Sequence, residues 1–540
     1  MKPNEHIAPF LAQPVNLKVG LNHLGYRNAA EDLFTTLLPG LNNVTARIRY
    51  YSFYCWLLDK FFESREEPTI RDYQRFVRCS EYLIAILHAG LEDAGGIPGI
   101  DYALTVMQDK PDAVDLLAGA FKSDGNTRGT YWANKGGVLV QYYGNSLRDI
   151  GITVPNIKHP ELSDISKEGT NITGKTLASA FEESIGAEAS ALFIACVQKG
   201  AVTREERKTL RTPFLMKNVV ANDQERKLLI ELLLQEDYPG RGERSYRRET
   251  IRLFLEYHND GSQNYKDDLG FPRFLYERYL KGRGDSLCIM GWYCFYLDDL
   301  WQYNASVILE RILDILQKDK AGRWVKLDIL TTDIADEVAS RFGAEKKSLS
   351  EVLTDLNAPA GKDNIGRIGS AIHQILEYHT VNVAVWPKTD ELTKAFGYSD
   401  ANDFRAASIF IDSHKEMSFK EFVKYFIESR IIYRHYNVSL RKFYQTGIAS
   451  HKFMLEDGHI RYLKDTFTTV THTSPRLVTL KGFLSDLGLI KDNEITPKRS
   501  MKGNRSNRKR KVCETVSGNI PKIHHRKYAI HRKVLSPITP

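Results

Sequence analysis

Residues Gly169–Thr176 read GTNITGKT. The pattern G-x-x-x-x-G-K-[ST] cradles phosphates with loop N–H groups, a lysine on the terminal phosphates and a hydroxyl on magnesium. Gly174, Lys175 and Thr176 would then bind a nucleotide, making the chain a P-loop nucleotide hydrolase. The flanks argue otherwise. Such a loop leaves a buried strand, whereas HPELSDISKE upstream is polar and Pro-broken. A second spacing that could do chemistry is RIIYRH, Arg430 to His435, echoed by Arg367 and His373. An arginine holding a phosphate and a histidine moving a proton can cleave RNA. With 15 His and far more Arg in the chain, such spacings also arise by chance. Metal-assisted hydrolysis needs clustered carboxylates. Glu206/Lys208 and Glu345/Lys347 form E-x-K pairs that read as solvated helix faces. Asp267-Asp268 and Asp298-Asp299 show no basic partner motif. The sequence thus predicts no metal and no cofactor, and no catalytic residue unless it is Arg430 with His435.

The helical ribonucleases of the HEPN superfamily carry R-x4-6-H, which Arg430…His435 resembles. A polar residue often follows the arginine there, whereas Ile431 stands here. A third feature is LLPGLNNVTARIRYYSFYCWLLDKFF, Leu37–Phe62, which sets Arg47 and Arg49 in an apolar and aromatic run. Helical spacing points the two arginines in different directions. Near a helix N-terminus the macrodipole does not help them. They require a partner, either Glu31 or Asp32 upstream, or a polyanion held on an Arg/aromatic surface.

Composition sets the frame. With 540 residues the chain exceeds one ordinary core. Hydrophobic residues make up 42%, including 27 Tyr and 25 Phe, so globular packing is expected rather than wholesale disorder. No apolar run is long enough to span a bilayer. The first residues lack a secretory layout, and six cysteines form no CxxC pair. A cytoplasmic chain with reduced core thiols is expected. The net charge of +8 is unevenly spread. From Lys498 onward there are 13 Lys/Arg and one acid, Glu514. The remainder keeps 62 basic against 66 acidic residues, a net of −4. The basic end, densest at Arg508, Lys509, Arg510 and Lys511, predicts nucleic acid as partner, DNA before RNA.

The periodicity predicts a mainly α protein. It divides into an N-terminal helical domain (1–122), a segment (123–186) opened by the Gly/Asn/Ser-rich run SDGNTRGTYWANKGG, a central helical domain (187–410), a C-terminal helical domain (411–497) and a disordered basic tail (498–540). A helix capped by Asn42 or Asn43 should run to about Phe62, and Tyr102–Phe121 should be helical with a break at Pro111. One echo recurs. SLRDIGIT (Ser146–Thr153) aligns with FLSDLGLI (Phe483–Ile490), placing Gly151 and Gly488 where a helix C-cap needs positive φ. Helix, L-x-D-h-G-h, then a polar turn resembles the winged-helix family, in which a strand and wing follow; the resemblance implies two winged-helix-like elements. After the wing, helices such as KTLASAFEE also resemble that family.

PGLNNVTARIRYYSF resembles an N-terminal motif of poorly characterised bacterial proteins from phage-defence islands, P-G-x-[ST]-x-x-T-x-R-x-R-Y-[YF]-x-F. Asn42 stands in place of its Ser/Thr. HYNVSLRKFYQ (His435–Gln445) is a second point of similarity. The resemblance implies no particular activity but a component of a multigene antiviral system, Druantia-like systems being one setting, with other subunits of a defence complex as partners. Joined to the charge of the basic end and the Arg/aromatic surface of Arg47 and Arg49 as contacts, it predicts an accessory, non-enzymatic, nucleic-acid-binding subunit.

Overall fold

In the computed structural model the described residues are 22–490, except 66, 93, 170–171, 218, 220–222, 236–245, 260–268, 283–285, 388, 397–401 and 464–469. The basic end, with Arg508, Lys509, Arg510 and Lys511, lies outside them.

The aromatic run around Tyr50 folds as the helix Arg49–Glu63 and is buried on almost every side. Phe53 and Trp56 lock into Phe181, Phe193 and Phe214, with ring centroids 5.4–6.2 Å apart. A helix apolar all round must be enclosed, and the helix Gly174–Ile185 covers one side of it. The helix starts later than its sequence suggests. Asn42 Oδ1 does accept from the N–H groups of Val44 and Thr45, both at 2.9 Å, but it closes a turn ahead of the helix.

The second scaffold is the 28-residue helix Leu287–Asp314. It packs against Arg27–Leu37, Gly270–Leu280 and Asn364–Asn382. Gly291 permits this approach, since a Cβ there would meet Phe396 at 2.6 Å and Leu37 at 2.8 Å. Segments far apart in sequence therefore share one core, and one compact unit extends to Lys491. The fold is mainly α. The five cysteines among the described residues are buried and unbridged.

The loop 123–137 is fastened to the helix Ile70–His88 by two buried charges. Arg78 donates to the carbonyls of Ala120, Trp132 and Asn134 and to Thr130 Oγ1. One turn on, Glu81 accepts from the N–H groups of Val138 (2.8 Å) and Leu139 (2.7 Å) and from the hydroxyls of Tyr54 and Tyr131. A buried ion is tolerable only with such full satisfaction. Burial still pushes the Glu81 carboxyl above its usual range.

The internal echo is a matched pair of Schellman caps. Gly151 (φ 84°) donates to Arg148 O and Ile152 to Leu147 O, both at 3.0 Å; Gly488 (φ 68°) donates to Ser485 O at 2.9 Å and Leu489 to Leu484 O at 2.8 Å. After the first, Thr153–Pro155 pairs antiparallel with Ser163–Ile165. After the second, the chain soon leaves the described residues. Two further small sheets occur among the described residues. Ala113–Asp115 pairs with Ala201–Thr203, in place of the helix expected through Tyr102–Phe121. Val325–Lys326, His459–Tyr462 and Phe453–Glu456 lie side by side in that order, all antiparallel. Among the described residues no helix is long and apolar enough to cross a membrane.

Candidate nucleic-acid interface

Phe419–Thr446 is one continuous helical rod, capped by Ser418, which accepts from Glu421 N–H, and ended by Gly447 at φ 68°. Its last half, Tyr433–Thr446, has two faces. The inner one clasps the segment 22–26. Arg434 Nε donates to Leu24 O (2.8 Å), Lys442 Nζ to Asn22 O (2.7 Å) and His435 Nδ1 to His23 O (3.0 Å). The outer one carries Tyr433, Asn437, Arg441 and Tyr444, all exposed, at positions i, i+4, i+8 and i+11. Tyr444 is 78% exposed, its ring lying 6.1 Å from that of Phe443. Beyond Gly447 the chain turns into the hairpin Phe453–Glu456/His459–Tyr462, on which Arg461 is exposed. An outward row of aromatic, amide and guanidinium groups suits stacking on bases and contact with phosphates.

His435 is held as structure. It is fully buried, and its Nε2 accepts from Lys452 N–H at 3.0 Å, which leaves the proton on Nδ1 for His23 O. Burial lowers its pKa to about 3. Arg430 lies over the Phe410 ring at 4.2 Å, and its carbonyl accepts from Tyr26 O–H. With both ring nitrogens occupied and no solvent access, His435 is not placed to move a substrate proton. The echo pair is likewise used locally: His373 lies 3.9 Å from Glu377.

The P-loop match is explained by packing. Thr173 caps the helix Gly174–Ile185, accepting from Thr176 N–H at 3.2 Å. Gly174 N–H donates to Ser166 Oγ and Lys175 N–H to Ser166 O, both at 2.9 Å, so these two N–H groups of the would-be phosphate cradle are already engaged. Gly174 itself is needed because a Cβ would come within 2.2 Å of Ile152 O. Lys175 Nζ pairs with Asp59 (2.8 Å) and Glu63 (3.2 Å). Thr170 and Asn171 lie outside the described residues. We expect Lys175→Ala to leave ATP and GTP affinity, measured by calorimetry, at the level of the parent protein. Because Lys175 is nearly half exposed, stability should fall by about 1 kcal/mol or less.

The two N-terminal arginines find remote partners instead of Glu31 or Asp32. Arg47 Nη1 bonds Asp486 at 2.7 Å, and its Nε and Nη2 bond Gly95 O. Arg49 is 1% exposed. Its Nε bonds both oxygens of Glu225 at 3.2 Å, Nη1 bonds the carbonyls of Pro213 and Leu215, and Nη2 bonds Ser184 Oγ. The expectation that Arg49 contacts nucleic acid is therefore corrected: its guanidinium is sealed in the core with every arm bonded. Arg47 is mostly buried and lines a cavity.

Sequence reasoning missed the pairing of a fully buried carboxylate with an imidazole. Asp299, fully buried, accepts from His472 Nδ1 at 2.6 Å, Thr473 N–H at 2.6 Å and Gln302 Nε2 at 3.0 Å. His472 stacks on Tyr303 at 4.0 Å, and about a third of its side chain is exposed. Asp298 accepts instead from Phe404 N–H at 2.8 Å. No local signal links residues 173 apart. The pair fastens 471–473 to the long helix, and no described hydroxyl or thiol bonds the imidazole Nε2. Among the described residues no group of His, Cys, Asp and Glu is arranged to hold a metal ion. No protein-family model, curated protein or solved structure matches the chain.

Proposed function

We propose that this protein is a nucleic-acid-binding accessory subunit, without catalysis of its own, of a multigene bacterial antiviral system acting in the cytoplasm. The observation that carries the binding part is the outward face of Tyr433–Thr446. Its inner face is spent on anchoring 22–26, yet Tyr433, Asn437, Arg441 and Tyr444 are left exposed in one row. The segment from Lys498, +12 by sequence, adds the nonspecific attraction that phosphates exert on cations. The antiviral setting rests on the motif spanning Pro39–Phe53 and on His435–Gln445. DNA is the preferred partner.

Substituting Arg441 and Tyr444 together by Ala, with the basic end intact, should weaken single-stranded DNA binding by roughly tenfold or more. Base–aromatic stacking alone contributes about 1–3 kcal/mol per base. Both side chains are exposed, so the melting temperature should hold. Unchanged affinity in a fluorescence-anisotropy titration would remove this face from the interface.

A further inference from the structure

A second site lies where the end of the Ile70–His88 helix meets the end of the helix Arg204–Arg211. A cavity of about 440 Å³ opens there. That is within the range of small-molecule sites, roughly 300–1,000 Å³. Its floor is apolar, formed by Leu91, Ile97, Leu215 and Met216, and its rim carries Arg47, Arg211 and Lys217 against one acid, Glu92.

The walls are built rather than incidental. His88 is buried; its Nδ1 bonds Ile84 O at 2.8 Å, and its Nε2 accepts from Met216 N–H at 3.1 Å. It thereby fixes the 212–217 turn as a neutral strut. Arg47 is held by Gly95 O and Asp486, so its guanidinium is already oriented. Arg211 differs. It is half-buried, yet makes no hydrogen bond or ion pair among the described residues. A guanidinium left unspent beside an apolar floor is what a phosphate ester with an apolar body would engage. Asp486 already pairs with Arg47, so Arg211 is the rim cation that an anionic group would meet. Inorganic phosphate alone would leave the floor unused; an uncharged apolar body would leave Arg211 unused.

We propose that this cavity binds a small phosphate monoester of the nucleoside-monophosphate class, the flat face of its base lying on the apolar residues and its phosphate on Arg211. The site is separate from the Tyr433–Thr446 face and does not depend on the nucleic-acid reading. The test titrates the full chain with AMP, adenosine and inorganic phosphate by calorimetry, and repeats AMP with Arg211→Ala. AMP should bind at least tenfold more tightly than either fragment, and Arg211→Ala should weaken AMP at least tenfold. Because Arg211 makes no hydrogen bond or ion pair among the described residues, that variant should melt close to the parent. The basic end is identical in both proteins, so the difference isolates the cavity. Absence of AMP binding, equal binding by AMP and phosphate, or an Arg211→Ala variant that binds AMP like the parent would each overturn the proposal.

Discussion

Glu225→Ala should destabilise the protein by about 3–5 kcal/mol, the cost of leaving a buried ion without its partner. Arg49 and Glu225 are 1% and 0% exposed, and the carboxylate faces Nε and Nη2 of the guanidinium. Ser52 Oγ donates to the same carboxylate at 2.6 Å. Removing Glu225 strands a full positive charge among Phe181, Pro213 and Leu215, where water cannot replace the lost oxygens. Arg49→Met with Glu225→Leu should recover much of the loss, because deleting both ions removes the desolvation cost along with the attraction. Urea unfolding of the two variants checks this. A loss below 1 kcal/mol for Glu225→Ala would mean that the pair is solvated.

Acid should act through three buried histidines. Burial is the leading cause in each, and it lowers His23 and His88 to about 4 and His435 to about 3. A histidine whose folded pKa lies below its unfolded value of about 6.5 binds fewer protons when folded. Its contribution is therefore intact above pH 6.5 and is lost as pH falls toward the folded pKa. Each such group costs about 1.4 kcal/mol per pH unit across that window. Glu81 and Asp486, raised by burial, act in the opposite sense, since folding favours their protonated forms. A variant comparison separates the terms. His435→Gln keeps a donor and an acceptor but cannot titrate. It should flatten the fall in stability between pH 6 and pH 4 by about 1.4 kcal/mol per pH unit. An unchanged slope would show that His435 is protonated in the folded protein.

What the sequence disclosed follows from range. The mainly α class, the continuous block through Phe419–Phe443 and the caps at Gly151 and Gly488 are local, written in periodicity and in one glycine each. The pairing of Arg47 with Asp486 and of Arg49 with Glu225 spans 439 and 176 residues, and nothing near either arginine encodes it. Strands such as Ala113–Asp115 are too short to show alternation, so the expected helix there gave way to a strand and a short helix. Glycine and lysine at Gly174-Lys175 matched a phosphate loop because close helix packing also selects glycine, and a surface ion pair also selects lysine. The outward face of Tyr433–Thr446 could be recognised only once the inner face was seen to hold residues 22–26.

The central claim is that the protein binds nucleic acid. It is tested most directly by a salt series on duplex and single-stranded DNA with the full chain and with a chain ending at Pro497. If about six charges of the basic end engage B-DNA, the full chain should give a log–log slope on the order of −5. The shortened chain should lose most of the affinity and the steep slope, keeping a weaker, shallower binding that Arg441→Ala with Tyr444→Ala abolishes. No salt-dependent binding by the full chain would contradict the account, and equal affinity in both proteins would exclude the basic end as its source.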